Sequence, residues 1–110
     1  MMEFLDEREA DGWTITLSLA PNKTYNGKVK GVPLKSLILF TKKRLEKNGS
    51  GWLRLIDAHL YASDLDRICK TWRIRRSFLF ENDHHNGYRL RILPQNIKLP
   101  APDWLDRDLS

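Results

Sequence analysis

The chain has 110 residues, 41% of them hydrophobic and eleven of them aromatic, which supplies one hydrophobic core and leaves little material for a second domain. Its longest apolar run, Leu37-Ile38-Leu39-Phe40, is far short of a bilayer span, and the acidic opening Glu3, Asp6, Glu7, Glu9 and Asp11 is the opposite of a basic secretory leader. The expected setting is therefore cytoplasmic with no membrane partner, and a formal charge of +5 points toward polyanionic partners.

That total hides an uneven distribution. Residues 1–11 carry five acids against Arg8, and residues 100–110 carry Asp103, Asp106 and Asp108 against Arg107. The intervening residues 12–99 hold seventeen basic and six acidic residues, a charge of +11. The expected organisation is an acidic N-terminal extension at 1–11, a basic α+β core at 12–93, and a Pro-rich acidic tail at 94–110 packed on the core. A lone Cys69 has no partner for an internal disulfide and lies among apolar residues at helical spacing, so it reads as a small buried hydrophobe.

In chain order, Trp13, Ile15, Leu17 and Leu19 alternate with Thr14, Thr16 and Ser18, the pattern of a half-buried strand. Pro21-Asn22 ends it. The polar stretch to Gly31 reads as a loop or small ribbon, with Asn26-Gly27 as a hairpin turn between Tyr25 and Val29. Pro33 then suits a first helical turn, and Leu34, Leu37, Ile38, Thr41 and Leu45 recur at spacings of three and four. The spacing predicts a helix over 34–47, closed by Lys42, Lys43, Arg44 and Lys47 and stopped at Asn48-Gly49.

Residues 52–61 fit two patterns. Trp52, Leu53, Ile56 and Leu60 make a helical stripe, whereas Trp52, Ile56, Ala58 and Leu60 make a strand broken only by Arg54. Ser63-Asp64-Leu65-Asp66 resembles a capping box, and Leu65, Ile68, Cys69 and Trp72 give a second helix running to about Arg73. Phe78 and Phe80, a turn at Asp83-His84-His85-Asn86-Gly87, and Tyr88, Leu90 and Ile92 alternating with Arg89 and Arg91 predict a hairpin with one apolar and one cationic face. Pro94, Pro100 and Pro102 make the remainder extended, with Trp104 and Leu105 as anchors onto the domain.

The fold class expected is therefore α+β: an N-terminal strand, two or three helices, then a β-hairpin. With 52–61 helical the order is winged-helix-like and residues 78–92 form the wing. The alternative, with 52–61 as a strand, is β-α-β-α-β-β. The continuous apolar stripe of 52–61 favours the first. The short, glycine-free connection before the next helix counts against a standard helix-turn-helix.

The feature that points furthest toward function is Arg73, Arg75 and Arg76 between Trp72 and Phe78, together with Arg89 and Arg91 on the hairpin. Guanidinium forks match phosphate oxygens and base edges, and a two-stranded ribbon can lie along a nucleic-acid backbone. Lys42, Lys43 and Arg44, with Lys28 and Lys30, extend the expected footprint. The leading expectation is a DNA- or RNA-binding module. The competing readings are a protein-interaction module that offers its basic face to an acidic partner or self-associates, and a basic surface that is merely solvated.

Catalysis is not expected. His84-His85 beside Asp83 lack a third ligand at motif spacing, so no metal site is predicted. Asp57 and His59 diverge on a helix and share a face only on a strand, which leaves a hydrolase or nuclease as a third reading. Ser50, in Gly49-Ser50-Gly51, lacks the flanks of a nucleophile elbow, and no glycine-rich phosphate loop is present, so no cofactor is expected.

Overall fold

The computed structural model describes residues 1–9, 12–20, 23–47 and 49–100. Three strands open the chain: β1 (Met2–Glu9), β2 (Gly12–Ala20) and β3 (Lys23–Lys30). Helix α1 (Gly31–Leu45), helix α2 (Ala62–Lys70) and the single turn α3 (Arg76–Leu79) follow. A hairpin of β4 (Phe80–Asn82) and β5 (Tyr88–Leu90) comes next, and the short strand β6 (Ile97–Lys98) closes the described chain. The protein is thus an α+β domain with a strand at its N-terminus, three helices and a β-hairpin, as the sequence pattern leads one to expect. Among the described residues no helix is long and apolar enough to cross a membrane.

The larger sheet has the order β3-β2-β1-β6, antiparallel except for the β1–β6 pair. Register places Phe4 beside Ile15, Met2 beside Leu17, and Trp13 beside Val29. All six are buried, because alternation sends them to the one face that receives the helices. Against them pack Leu34, Leu37 and Ile38 of α1, Leu65, Ile68 and Cys69 of α2, and Trp72 just beyond it. Phe40 of α1 meets Phe80 of the hairpin edge-to-face, with centroids 5.0 Å apart, and so ties the smaller sheet to the same core. The opposite face of the large sheet is polar: the Thr16 hydroxyl donates to the Asn26 side-chain oxygen at 2.8 Å, and Ser18 faces Thr24 at 3.3 Å.

Three local expectations are corrected. Residues 2–9, expected within an acidic extension, form a strand, because Met2 and Phe4 supply the buried alternation and their backbone pairs with β2. Residues 23–30, expected as a loop or small ribbon with a turn at Asn26-Gly27, form the single continuous edge strand β3, with Asn26 opposite Thr16 and Gly27 opposite Ile15. Gly27 serves close packing rather than turning: a Cβ there would lie 2.5 Å from Thr71 Cγ2 and 2.9 Å from Trp72 Nε1. The absence of a side chain lets the end of α2 settle on the sheet, and the Trp72 indole N–H donates to the Ile15 carbonyl at 3.3 Å.

The third correction concerns residues 52–61, which form neither of the expected elements. Leu53 makes an isolated antiparallel bridge to Tyr88, with both its N–H and its carbonyl engaged, at 2.8 and 2.9 Å. Gly87 permits that approach, since any Cβ there would overlap the Leu53 carbonyl. A 3-10 turn follows at Ile56–Ala58, clamped by a two-point contact from Arg54 to the Asp57 carboxylate at 2.9 and 3.3 Å. Ile56 is 77% exposed while Leu53 and Leu60 pack partly buried against the core, so the apparent helical stripe does not share one buried face. Helix α2 begins after Tyr61, whose N–H donates to Asp64 at 2.7 Å, which places the start ahead of the expected Ser63 cap.

Candidate nucleic-acid interface

Helix α2 ends in a left-handed turn. The Arg73 N–H donates to the Lys70 carbonyl at 3.1 Å and the Ile74 N–H donates to the Cys69 carbonyl at 3.2 Å, the paired bonds of a Schellman motif. Arg73 sits at its left-handed position, with φ of 56°. That site favours glycine, and a residue with a Cβ there costs about 1 kcal/mol or more. The fold thus holds an arginine at a strained position, as functional surfaces often do.

Arg73 faces a cleft. Lys70, Arg73, Arg75 and Arg76 line an open depression of about 650 Å³ together with Ser77, and the one carboxylate in that lining is Asp66. Arg76 lies 3.6 Å from Asp66 and over the Tyr88 ring at 5.8 Å, so it is partly neutralised and fixed. No hydrogen bond or ion pair to a described residue engages the side chains of Lys70, Arg73 or Arg75. Four cations against one carboxylate leave a local excess of positive charge where solvent reaches it freely.

The cleft continues toward the hairpin. Arg76 and Ser77 also border a depression of about 300 Å³ whose other side is Tyr88 and Arg91. Arg91 is exposed and donates through Nε to the Ser77 carbonyl at 2.7 Å, which leaves its terminal nitrogens free of described partners. Arg91, distant in the chain, therefore joins Lys70, Arg73, Arg75 and Arg76 in one cationic track.

The remaining expected cations do not join it. Arg44 is only 9% exposed, donating through Nε to the Ile92 carbonyl at 3.0 Å and through Nη1 to the Ser50 carbonyl at 3.1 Å. Burial, reinforced by the nearby Arg89 charge, lowers its pKa from the usual guanidinium value. Arg89 pairs with Glu81 at 2.7 Å, donates to the Ser50 carbonyl at 3.0 Å, and lies over the Trp52 ring at 4.4 Å. Both are spent on internal acceptors. Lys28 and Lys30 lie on the β3 edge strand, on the face turned away from α2. Lys42 is exposed in the last turn of α1, and Lys43 is 3.6 Å from Glu46.

Other candidate chemistry is absorbed locally. Asp57 is held by Arg54, and that hydrogen bond lowers its pKa below the ordinary carboxylate value. The Asp83 carboxylate accepts the N–H groups of His85 and Asn86 at 3.0 and 2.6 Å and orders the hairpin loop. Among the described residues no three His, Cys, Asp or Glu side chains are placed to hold a metal ion. The expected anchors Trp104 and Leu105 lie outside the described residues. The spacing missed Lys70 and Phe78 as surface groups. Lys70 is signalled only by its place one turn before Arg73, and Phe78 was masked by its apparent alternation with Phe80.

Comparison with protein-family models, curated proteins and solved structures found no match to the chain.

Proposed function

We propose that the protein is a nucleic-acid-binding module that grips a phosphate backbone along the track from Lys70 through Arg73, Arg75 and Arg76 to Arg91. The observation that carries this reading is the cleft between α2 and α3, where four cations meet one carboxylate and three of the four have no described partner. Free guanidinium forks on an open surface suit phosphate oxygens, which accept two parallel hydrogen bonds from each. Arg91 contributes by the same chemistry, because only its Nε is engaged. The lone buried thiol and the basic core fit a cytoplasmic partner of this kind.

Fluorescence anisotropy with labelled oligonucleotides at two salt concentrations tests the proposal. Binding should weaken with salt, and a double substitution Arg73→Ala, Arg75→Ala should flatten the dependence of log affinity on log salt by about 1.4 to 1.8, because two phosphates are no longer neutralised. Binding that is insensitive to both salt and the double substitution would remove the proposal.

A second reading is protein interaction. Ile56 and Tyr61, 77% and 76% exposed, flank a depression of about 410 Å³ with His59 and Leu60, and exposed apolar pairs of this kind mark contact surfaces. Light scattering on the purified protein, with and without Tyr61→Ser, separates self-association through this patch from a monomer.

A further inference from the structure

We infer that the nucleic acid taken by this surface is single-stranded, with a base stacked on the exposed ring of Phe78. The inference rests on the nucleic-acid reading above and adds the strandedness of its ligand.

Helix α3 is one turn long, and its geometry splits the apolar run that closes it. Leu79 is fully buried and Phe80 nearly so, whereas Phe78 is 57% exposed. The Phe78 N–H donates to the Arg75 carbonyl at 3.0 Å, so the backbone that carries the ring is fixed one turn from the cationic cleft. Its ring borders a third depression of about 350 Å³, with Leu19, Leu93, Asn96 and Arg91 on the other walls. Arg91 lies on this depression and on the one shared with Arg76. Cationic grip and apolar wall are therefore continuous along one surface.

That combination discriminates between ligands. In a duplex the base faces are already stacked on one another, so an exposed phenyl ring on the protein meets a base face only by prying a step open. A single strand presents its base faces freely, and non-sequence-specific single-strand binders combine a basic groove with aromatic platforms for this reason. Leu19 and Leu93 extend the apolar wall, and Asn96 at the rim offers an amide donor and acceptor for a base edge. An acidic protein partner would use the cations and could cover the ring with any apolar side chain, so binding of neither probe is the outcome that would point to it.

The test uses the full chain and two fluorescein-labelled probes, a thymidine strand of about 15 nucleotides and a duplex of the same length, a size that spans the site range of single-strand binders. The strand should bind more tightly than the duplex. Phe78→Ala should weaken strand binding at least about fivefold with little effect on the duplex, and Phe78→Trp should restore it. A urea midpoint for each variant confirms that the half-exposed ring is not needed for folding. Equal affinity for both probes, or strand binding unchanged by Phe78→Ala, overturns the inference and leaves the nucleic-acid reading standing. Failure to bind either probe at low salt removes that reading and the inference with it.

Discussion

Arg44 and Arg89 converge on a single acceptor, the Ser50 carbonyl, from which their donating nitrogens lie 3.1 and 3.0 Å away. Two like charges share one oxygen because Glu81 balances Arg89 and because Arg44 reaches onward to Ile92. The arrangement fastens the loop after α1 to the hairpin. Arg44→Ala should therefore cost about 3 kcal/mol in urea unfolding, by removing the Ile92 carbonyl's guanidinium donor, leaving Ser50 to Arg89 alone, and opening a cavity beside Gly51. Arg89→Ala should cost less, because Arg44 still serves Ser50 and Arg89 is partly solvated. A loss below about 0.5 kcal/mol for Arg44→Ala, the range of ordinary surface changes, would show that the shared acceptor contributes nothing to stability.

Arg73 allows stability and binding to be driven in opposite directions. Glycine relieves its left-handed backbone, so Arg73→Gly should raise stability by about 1 kcal/mol while reducing affinity for the single-stranded probe. Arg73→Lys keeps the charge and the strain, and should leave stability unchanged. If Arg73→Gly binds as tightly as the parent, the arginine is not there for the ligand and the cleft loses its central residue.

The elements whose partners are local were legible: the alternation of Trp13 to Leu19 lies on β2, the three-and-four spacing from Leu34 on α1, and Leu65 to Cys69 on α2. What escaped has no hydrophobic periodicity of its own and takes its structure from pairing. β3 is polar at most positions and becomes a strand only because β2 lies beside it, and its Asn26-Gly27 pair has the composition of a turn but the role of a packing surface. The bridge from Leu53 to Tyr88 is likewise invisible to periodicity. The site was half legible for the same reason. Arg73, Arg75 and Arg76 are neighbours in the chain and stay together, whereas strict alternation placed Arg89 and Arg91 on one face. β5 ends at Leu90 and the chain bends at Arg91, so that residue turns to Ser77 while Arg89 turns to Glu81.

Cys69 gives a chemical readout of the packing between α2 and the sheet. Burial, and then the Asp66 carboxylate, push its thiol up to about 12, so almost none is thiolate at pH 8. Reaction with a disulfide reagent at pH 8 should be at least about 100-fold slower in the native protein than in urea, since the unfolded thiol titrates near its ordinary value. The proton is held more tightly in the folded state, so this group's contribution is intact below the unfolded pKa of about 9 and is lost as pH rises toward 12. Rapid native-state labelling would mean that the α2 face opens readily.

Gly27 tests the packing from the other side. Its neighbours Thr71 Cγ2 and Trp72 Nε1 leave no room for a methyl group, and the second of these is held in place by its hydrogen bond to Ile15. Gly27→Ala must therefore push α2 outward or bend β3, at a cost of about 1–3 kcal/mol. The residue is an edge-strand glycine with no backbone strain of its own, so the cost is a contact cost and should respond to the contacting atom. Thr71→Ala removes the nearer obstacle. In a double-mutant cycle the pair should recover about 1 kcal/mol relative to the sum of the single changes. Additivity within about 0.3 kcal/mol would place the penalty elsewhere, in the strand itself, and would separate the glycine from the seat of the helix that carries Lys70 and Arg73.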